Sequence, residues 1–171
     1  MNTPHDRTGR SWVFGNDVNT DVLAPGAYMK SPLAEMASHC LETLEPEFAR
    51  KVQPGDFVVG GTNFGMGSSR EQAAQVLKHL GVKAVLAQSF GGIFYRNCLN
   101  LGLLALVCAD TAEITDGDEL EVDARTGTVT NQTSPQRLAC EPIPEHLLEM
   151  ITDGGLVPHL EKRLKGERQP T

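Results

Sequence analysis

The sequence has no Cys-x-x-Cys pair. Its four cysteines, Cys40, Cys98, Cys108 and Cys140, stand far apart among mostly apolar neighbours. This spacing argues against an iron–sulfur cluster held by this chain alone, which needs grouped thiolates, and predicts reduced, partly buried thiols in the cytoplasm. No apolar run reaches membrane-spanning length, and the opening "MNTPHDRTGR" lacks the apolar core of a signal peptide, so neither a span nor a secretory leader is expected. Positive charge is in deficit: a formal charge of −7 argues against a nucleic-acid or anionic-membrane partner. The basic run Lys162, Arg163, Lys165 and Arg168 reads as a solvated helix end. There is no low-complexity tract, no internal repeat and no linker long enough to separate a pair of domains.

What is present fits one globular domain. The 171 residues are enough to bury a real core at 40% apolar content, and 17 glycines and 10 prolines imply many turns. Residues 1–11 are expected to be disordered, 12–156 to form the domain, and 157–171 to be a C-terminal helix and polar tail. "SWVFG" reads as a first strand, followed by the polar loop "NDVNTD". In "SPLAEMASHCLETL", Ser31 is placed to cap a helix with Pro32 at its first position. Leu33, Met36, Ala37, Cys40, Leu41 and Leu44 recur there as one apolar stripe; His39 lies off it and reads as solvent-facing. "PGDFVVGG", "KAVLA" and "LLALV" read as strands. Between them fall a helix with Ala73, Val76, Leu77 and Leu80 inward, stopped by Gly81, and a short helix with Phe94, Cys98 and Leu101 inward. Strand and helix alternating this quickly imply parallel pairing through helical crossovers. "DELEVDARTGTVTN" then reads as a β-hairpin turning near Arg125–Gly127, and "PEHLLEMITDGG" as a closing helix.

The candidate chemistry gathers in "GTNFGMGSSREQAAQVLKHLG", residues 61–81. Loop-to-helix turns with spaced glycines hold anions, because the first helical N–H groups lack internal partners. Ser68-x-x-Glu71 and Ser69-x-x-Gln72 both fit the capping-box pattern, so a serine here can serve simply as a cap. Three features point further. Gly65 and Gly67 leave the backbone open to close approach by a ligand. Arg70, placed in the first turn, opposes the helix dipole and calls for an anionic partner. Two adjacent hydroxyls also exceed what one cap needs. The stretch is neither a Walker loop nor a dinucleotide fingerprint; it describes a carboxylate or phosphate cradle with a hydroxyl at its floor.

"GTNFGMGSSREQA" resembles the Asn-aromatic-Gly-x-Gly-Ser-Ser-Arg-Glu motif of the mobile swivel domain of the aconitase superfamily. "NTDVLAPGAYM" (19–29) and "SFGGIFYRNCLNLGLLAL" (89–106) continue the resemblance in family order, and it covers most of residues 12–155. The length and the missing cysteine ligands are similar to the separate small subunit of the isopropylmalate isomerase and homoaconitase branch. The resemblance implies an α/β fold, a swivelling β/β/α barrel-like domain. It also implies a hydro-lyase that moves a hydroxyl between neighbouring carbons of a malate-type di- or tricarboxylate by dehydration and rehydration. The expected partner is a large subunit carrying a [4Fe-4S] cluster, in a heterodimer or heterotetramer, with no cofactor or metal on this chain. Leucine or related amino-acid biosynthesis is the implied setting. The site should face solvent, with the partner supplying the other wall, and an isolated chain could self-associate through that face.

By the same resemblance Ser68 is the base that removes the proton alpha to a carboxylate, and Arg70 grips that carboxylate. Ser69 contacts it too or caps the helix. Asp21 orients an acid–base partner; without the resemblance it reads as an Asx-turn residue. Thr20 and Asn63 hold the loops, with Gly65 and Gly67 shaping the cradle, while Arg96 and Asn97 bridge backbone groups. Tyr28, Met29 and Lys30 read the substrate's variable group. Met29 offers an adaptable apolar wall, and Lys30 either meets a distal carboxylate or extends into solvent. Met66 stands where relatives often carry cysteine, and Gln72 where a histidine usually follows the glutamate. The substrate stays open between isopropylmalate, homocitrate and another malate derivative. A binding module for a small carboxylate or phosphate, without chemistry, is the reading from a different class.

Overall fold

The structure, a computed structural model, describes residues 8–167. Strands β2 (Phe57–Val59), β3 (Ala84–Ala87) and β4 (Leu104–Val107) are apolar on both faces and almost wholly buried, the pattern of parallel strands covered on each side. β1 (Gly9–Val13) pairs parallel with β2 and antiparallel with β5 (Glu119–Asp123). β6 (Thr128–Asn131) and β7 (Gln136–Ala139) extend an antiparallel meander, giving one sheet of order β4-β3-β2-β1-β5-β6-β7. The sheet curls until its two edges meet, where Cys108 and Cys140 form an antiparallel bridge and Glu141 N–H donates to the Val107 carbonyl at 2.8 Å.

Period-two alternation divides the core into two clusters. Val58, Val85 and Ala105 point to one face, where they join Trp12, Phe48, Phe64 and the helices α1 (Thr20–Leu23), α2 (Leu33–Ala37), α3 (Phe48–Lys51), α4 (Gln72–His79) and α5 (Gly92–Asn100). Phe57, Val59, Leu86 and Leu106 point the other way, to meet Leu120, Val122, Val129 and Leu138. Leu148 and Met150 of α6 (Glu145–Thr152) close that second cluster, and α7 (Leu156–Glu167) follows on the outside with no buried residue.

The structure departs from the sequence pattern at several places. β1 starts at Gly9, inside the stretch expected to be disordered, because Gly9 lies against the Gly55 carbonyl, which a Cβ would meet at 2.0 Å. Residues 1–7 and 168–171, including Arg168 of the basic run, lie outside the described residues. The stripe over 31–44 is not one helix. α2 ends at Ala37, the Ser38 hydroxyl donates to the Glu35 carbonyl, and Leu41 takes a left-handed φ of 59°. Leu41 N–H then donates to Val22 O, so the chain winds in turns that bury Cys40 and Leu41 and leave Leu33 and Leu44 exposed. Pro32, not Ser31, takes the cap position, without a side-chain bond. β7, with Leu138 as its one buried side chain, carries too little apolar pattern to be seen in sequence.

A buried carboxylate ties the sheet together. Asp56 is 7% exposed and accepts from the Trp12 indole (3.0 Å), the Arg10 N–H (3.2 Å) and the Gln53 N–H (2.9 Å). It thereby fixes β1 against the turn that enters β2. Asp56→Ala leaves three donors without their acceptor and is expected to lower the unfolding free energy by about 3 kcal/mol. Urea denaturation checks this, and a loss below about 1 kcal/mol would mean that water replaces the carboxylate.

Candidate active site

The loop between β2 and α4 is shaped by what it packs on. Gly65 has a φ of 78°, and a Cβ there would sit 2.2 Å from Phe94 Cγ. Gly67 has a φ of 116° and faces the Thr20 hydroxyl, which a Cβ would meet at 3.0 Å. Both glycines therefore admit neighbouring protein atoms at that side, where the sequence suggested room for a ligand. Phe64 is buried beneath the loop against Phe90 and Phe94, with Phe64 N–H donating to Ser89 O at 3.0 Å. Asn63 takes a left-handed φ of 57°. Its side chain donates to Asp17 at 3.1 Å and its N–H to the Ser89 hydroxyl at 2.8 Å. Gly65 N–H donates to Val18 O, and Thr20 N–H to Met66 O. The Asn-Thr-Asp block and the glycine loop are thus stitched together by backbone.

This stitching brings Ser68 to the first turn of α1. The Thr20 hydroxyl accepts from Ser68 N–H at 3.1 Å and lies 3.1 Å from Ser68 Oγ. Arg70 N–H donates to the same Ser68 oxygen at 3.4 Å. Thr20 is buried, whereas Ser68 is exposed. Neither capping box forms: α4 begins at Gln72 with Glu71 at its cap and no side-chain cap bond. Arg70 consequently precedes the helix instead of sitting in its first turn. The polar groups at Ser68 Oγ are one loop N–H and the Thr20 hydroxyl, with the helix terminus further along the chain.

Arg70 and Asp21 face each other. Nη1 of Arg70 donates to Asp21 Oδ1 at 3.2 Å and to Ala24 O at 3.4 Å. The side chains are 31% and 69% exposed, so this pair contributes little stability and chiefly sets geometry. Asp21 Oδ1 also accepts from Gly26 N–H at 3.0 Å. The aspartate expected to orient an acid–base partner thus holds the guanidinium and the 3-10 turn Gly26–Tyr28. Ser69 is exposed, and its carbonyl accepts from Asn97 Nδ2 at 3.5 Å; Arg96 Nε donates to Gly92 O at 3.4 Å.

Tyr28 and Met29 are half-buried against the core and Lys30 is exposed. Tyr28 stacks flat on His39, centroids 3.7 Å apart and planes 4° from parallel. His39 Nδ1 lies 2.6 Å from Glu42 Oε2. The histidine read as solvent-facing is therefore half-buried against Tyr28. Its N–H donates to Met36 O at 3.1 Å in the turn that leaves α2, a turn that no pattern in sequence announces.

A cleft of about 690 Å³ lies elsewhere, lined by Arg125, Glu145, Asp153 and Lys162 among others. Arg125 pairs with Glu145 at 3.1 Å and Lys162 with Asp153 at 2.9 Å. Lys162 and His159 together hold the Asp153 carboxyl below its usual range. It shares no residue with the loop at 61–72.

Fold and loop together define an α/β domain that presents a serine–arginine cradle on an open face. The model of the aconitase C-terminal domain family matches residues 28–111. The chain is 50% identical over 156 residues to 3-isopropylmalate dehydratase small subunit 2 of Archaeoglobus fulgidus, covering 90% of this chain and 94% of the relative. It is 46% identical over 157 residues to the methanogen homoaconitase small subunit of Methanothermobacter thermautotrophicus, covering 91% of each. A crystal structure of 3-isopropylmalate dehydratase (LeuD) from Methanocaldococcus jannaschii superposes with a TM-score of 0.88 at 41% identity, over 95% of this chain and 98% of that one. The chain belongs to the aconitase C-terminal domain family.

Thr20→Val keeps the shape of residue 20 and deletes the hydroxyl that Ser68 uses. Amide hydrogen exchange over residues 66–70 is expected to rise about tenfold, equivalent to one lost hydrogen bond of roughly 1.4 kcal/mol, while Thr20→Ser stays close to the parent. Equal exchange in all three proteins would show that Thr20 does not hold the loop.

Proposed function

We propose that the chain is the small subunit of a 3-isopropylmalate dehydratase-type hydro-lyase, acting in the cytoplasm in leucine or related amino-acid biosynthesis. The large subunit carries the [4Fe-4S] cluster and completes the site. The observation that carries this reading is the exposed Ser68 hydroxyl on which the Arg70 N–H and the Thr20 hydroxyl converge, beside a guanidinium locked by Asp21.

A serine hydroxyl becomes a base only where its alkoxide is stabilised, and donors already aimed at the oxygen do this without reorganisation. Thr20 Oγ1 accepts from Ser68 N–H, so its own proton is free to point to Ser68 Oγ. Ser68 then takes the proton alpha to a substrate carboxylate. Arg70 holds that carboxylate with the N–H groups that Asp21 and Ala24 do not use, its fork fixed in advance by those two contacts. Ser69 borders the same carboxylate. Tyr28, Met29 and Lys30 line the side where the substrate's variable group would lie, since Gly26 places a Cβ position 3.7 Å from Arg70 Nη1. The cluster supplies Lewis-acid activation of the departing hydroxyl when present. This chain's own donors do not fit it: among the described residues no group of three His, Cys, Asp or Glu side chains is placed for a metal, and all four thiols are buried.

Anaerobic reconstitution with the large subunit tests the assignment. Ser68→Ala is expected to lower kcat by about 10³–10⁴-fold, the scale of a lost general base, with co-purification unchanged; an active variant removes Ser68 from that role. Lys30→Ala is expected to raise KM by about 10–100-fold for a substrate with a distal carboxylate and to leave alkyl-tailed substrates alone. Equal effects on both would take Lys30 out of substrate selection.

A further inference from the structure

The two edges of the curled sheet meet at a pair of thiols. Cys108 directly follows β4 and Cys140 directly follows β7, and they are antiparallel bridge partners. Glu141 N–H donates to Val107 O at 2.8 Å. That bond flanks the pair, so the cysteines occupy a non-hydrogen-bonded position of the ladder. Opposed residues there have Cα atoms about 4.5 Å apart with side chains on one face, inside the roughly 4.4–6.8 Å span a disulfide accepts. Both side chains belong to the same apolar cluster, the Cys108 thiol donates to Ala139 O at 3.5 Å, and both are free. Cys40 and Cys98 sit in the other cluster.

We propose that Cys108 and Cys140 form an oxidisable dithiol whose disulfide covalently closes the seam of the barrel. With hydrogen peroxide as oxidant, one sulfur of the pair attacks the O–O bond as its thiolate, giving a sulfenic acid and, once the departing hydroxide is protonated, one water. The other sulfur then attacks the sulfenic sulfur and expels the second water. Two thiols lose two protons and two electrons, and one peroxide is reduced to two waters. The proximity of the Cys140 thiol draws Cys108 below the ordinary thiol range, to about 7, against the cost of burial. The same proximity, with burial, pushes Cys140 up.

The seam is bonded to the catalytic loop. Cys108 N–H donates to Ala87 O at 2.8 Å and Gln88 Nε2 to Ala109 O at 3.3 Å. Ser89, next along, holds Asn63 and Phe64, and the Thr111 hydroxyl donates to Gly60 O at 2.9 Å. Both ends of the cradle's entry thus hang on the segment that the disulfide would fix.

The test uses the full chain, reduced, then treated with hydrogen peroxide at one to a few equivalents. Intact mass is expected to fall by two hydrogens. Peptide mapping is expected to return one cross-link, Cys108 to Cys140. Tm should rise by about 5–10 °C and return on adding a dithiol reductant. Cys40→Ser and Cys98→Ser should keep this response, and Cys108→Ser and Cys140→Ser should lose it. A wild-type chain that stays reduced, goes on to sulfinic acid, or cross-links through Cys40 or Cys98 overturns the proposal. A 108–140 disulfide that leaves Tm unchanged or lower overturns its role as a closure. These readouts involve no turnover, so they stand or fall apart from the proposed hydro-lyase activity.

Discussion

The contact between Gly65 and the ring of Phe94 is the constraint on which the site depends. The loop that leaves β2 must cross the aromatic platform of Phe64, Phe90 and Phe94, and with a Cβ position 2.2 Å from Phe94 Cγ it does so only where residue 65 has no side chain. Each ring pair adds about 0.5–1.5 kcal/mol beyond the area it buries, so the platform is stiff. Gly91 presses on the other side of the same crossing, close to the Gly65 carbonyl. With the loop pinned at residues 64–65, the next few residues have little freedom, and Ser68 is delivered to Thr20.

What that placement produces is an electrostatic arrangement made of weak contacts. The Asp21–Arg70 pair is too exposed to be worth much in stability, yet Asp21, itself held by the Gly26 N–H, and the Ala24 carbonyl both accept from Nη1 of the guanidinium and orient it. The Ser68 oxygen has the Arg70 N–H at 3.4 Å and the Thr20 hydroxyl at 3.1 Å, both preset. Fixed dipoles of this kind act on a developing charge without having to reorganise, which is why an arrangement that adds little to folding can matter to a reaction. The open face follows from the same geometry, since Ser68 and Ser69 stay exposed where the loop crosses α1.

Much of the scaffold was legible. The runs in β2, β3 and β4 announce themselves because strands covered on both faces need unbroken apolar sequence, and the alternation through β5 and β6 marks a half-buried hairpin. Elsewhere local signals misled. The stripe from Leu33 to Leu44 has helical spacing, but the bond from Leu41 N–H to Val22 O, a long-range contact, outweighs continuation of α2. Two capping boxes were written in the serines, and neither forms because the loop's stitching to Thr20 and Val18 holds Ser68 and Ser69 ahead of the helix. His39 stacks on Tyr28, eleven residues away, an encounter that no periodicity encodes.

The amino-acid sequence by itself determined the strand and helix inventory, the grouping of serine, arginine and glycine in one loop, and the family pattern across three blocks. Those properties are local: they depend on side-chain type, period and spacing along the chain. Tertiary structure alone decided that Thr20 meets Ser68, that Asp21 holds Arg70, that His39 backs Tyr28, and that Cys108 faces Cys140 across the seam. Each of these joins segments brought together by sheet curvature, loop crossing or a left-handed turn, and such encounters leave no mark in the order and spacing of residues.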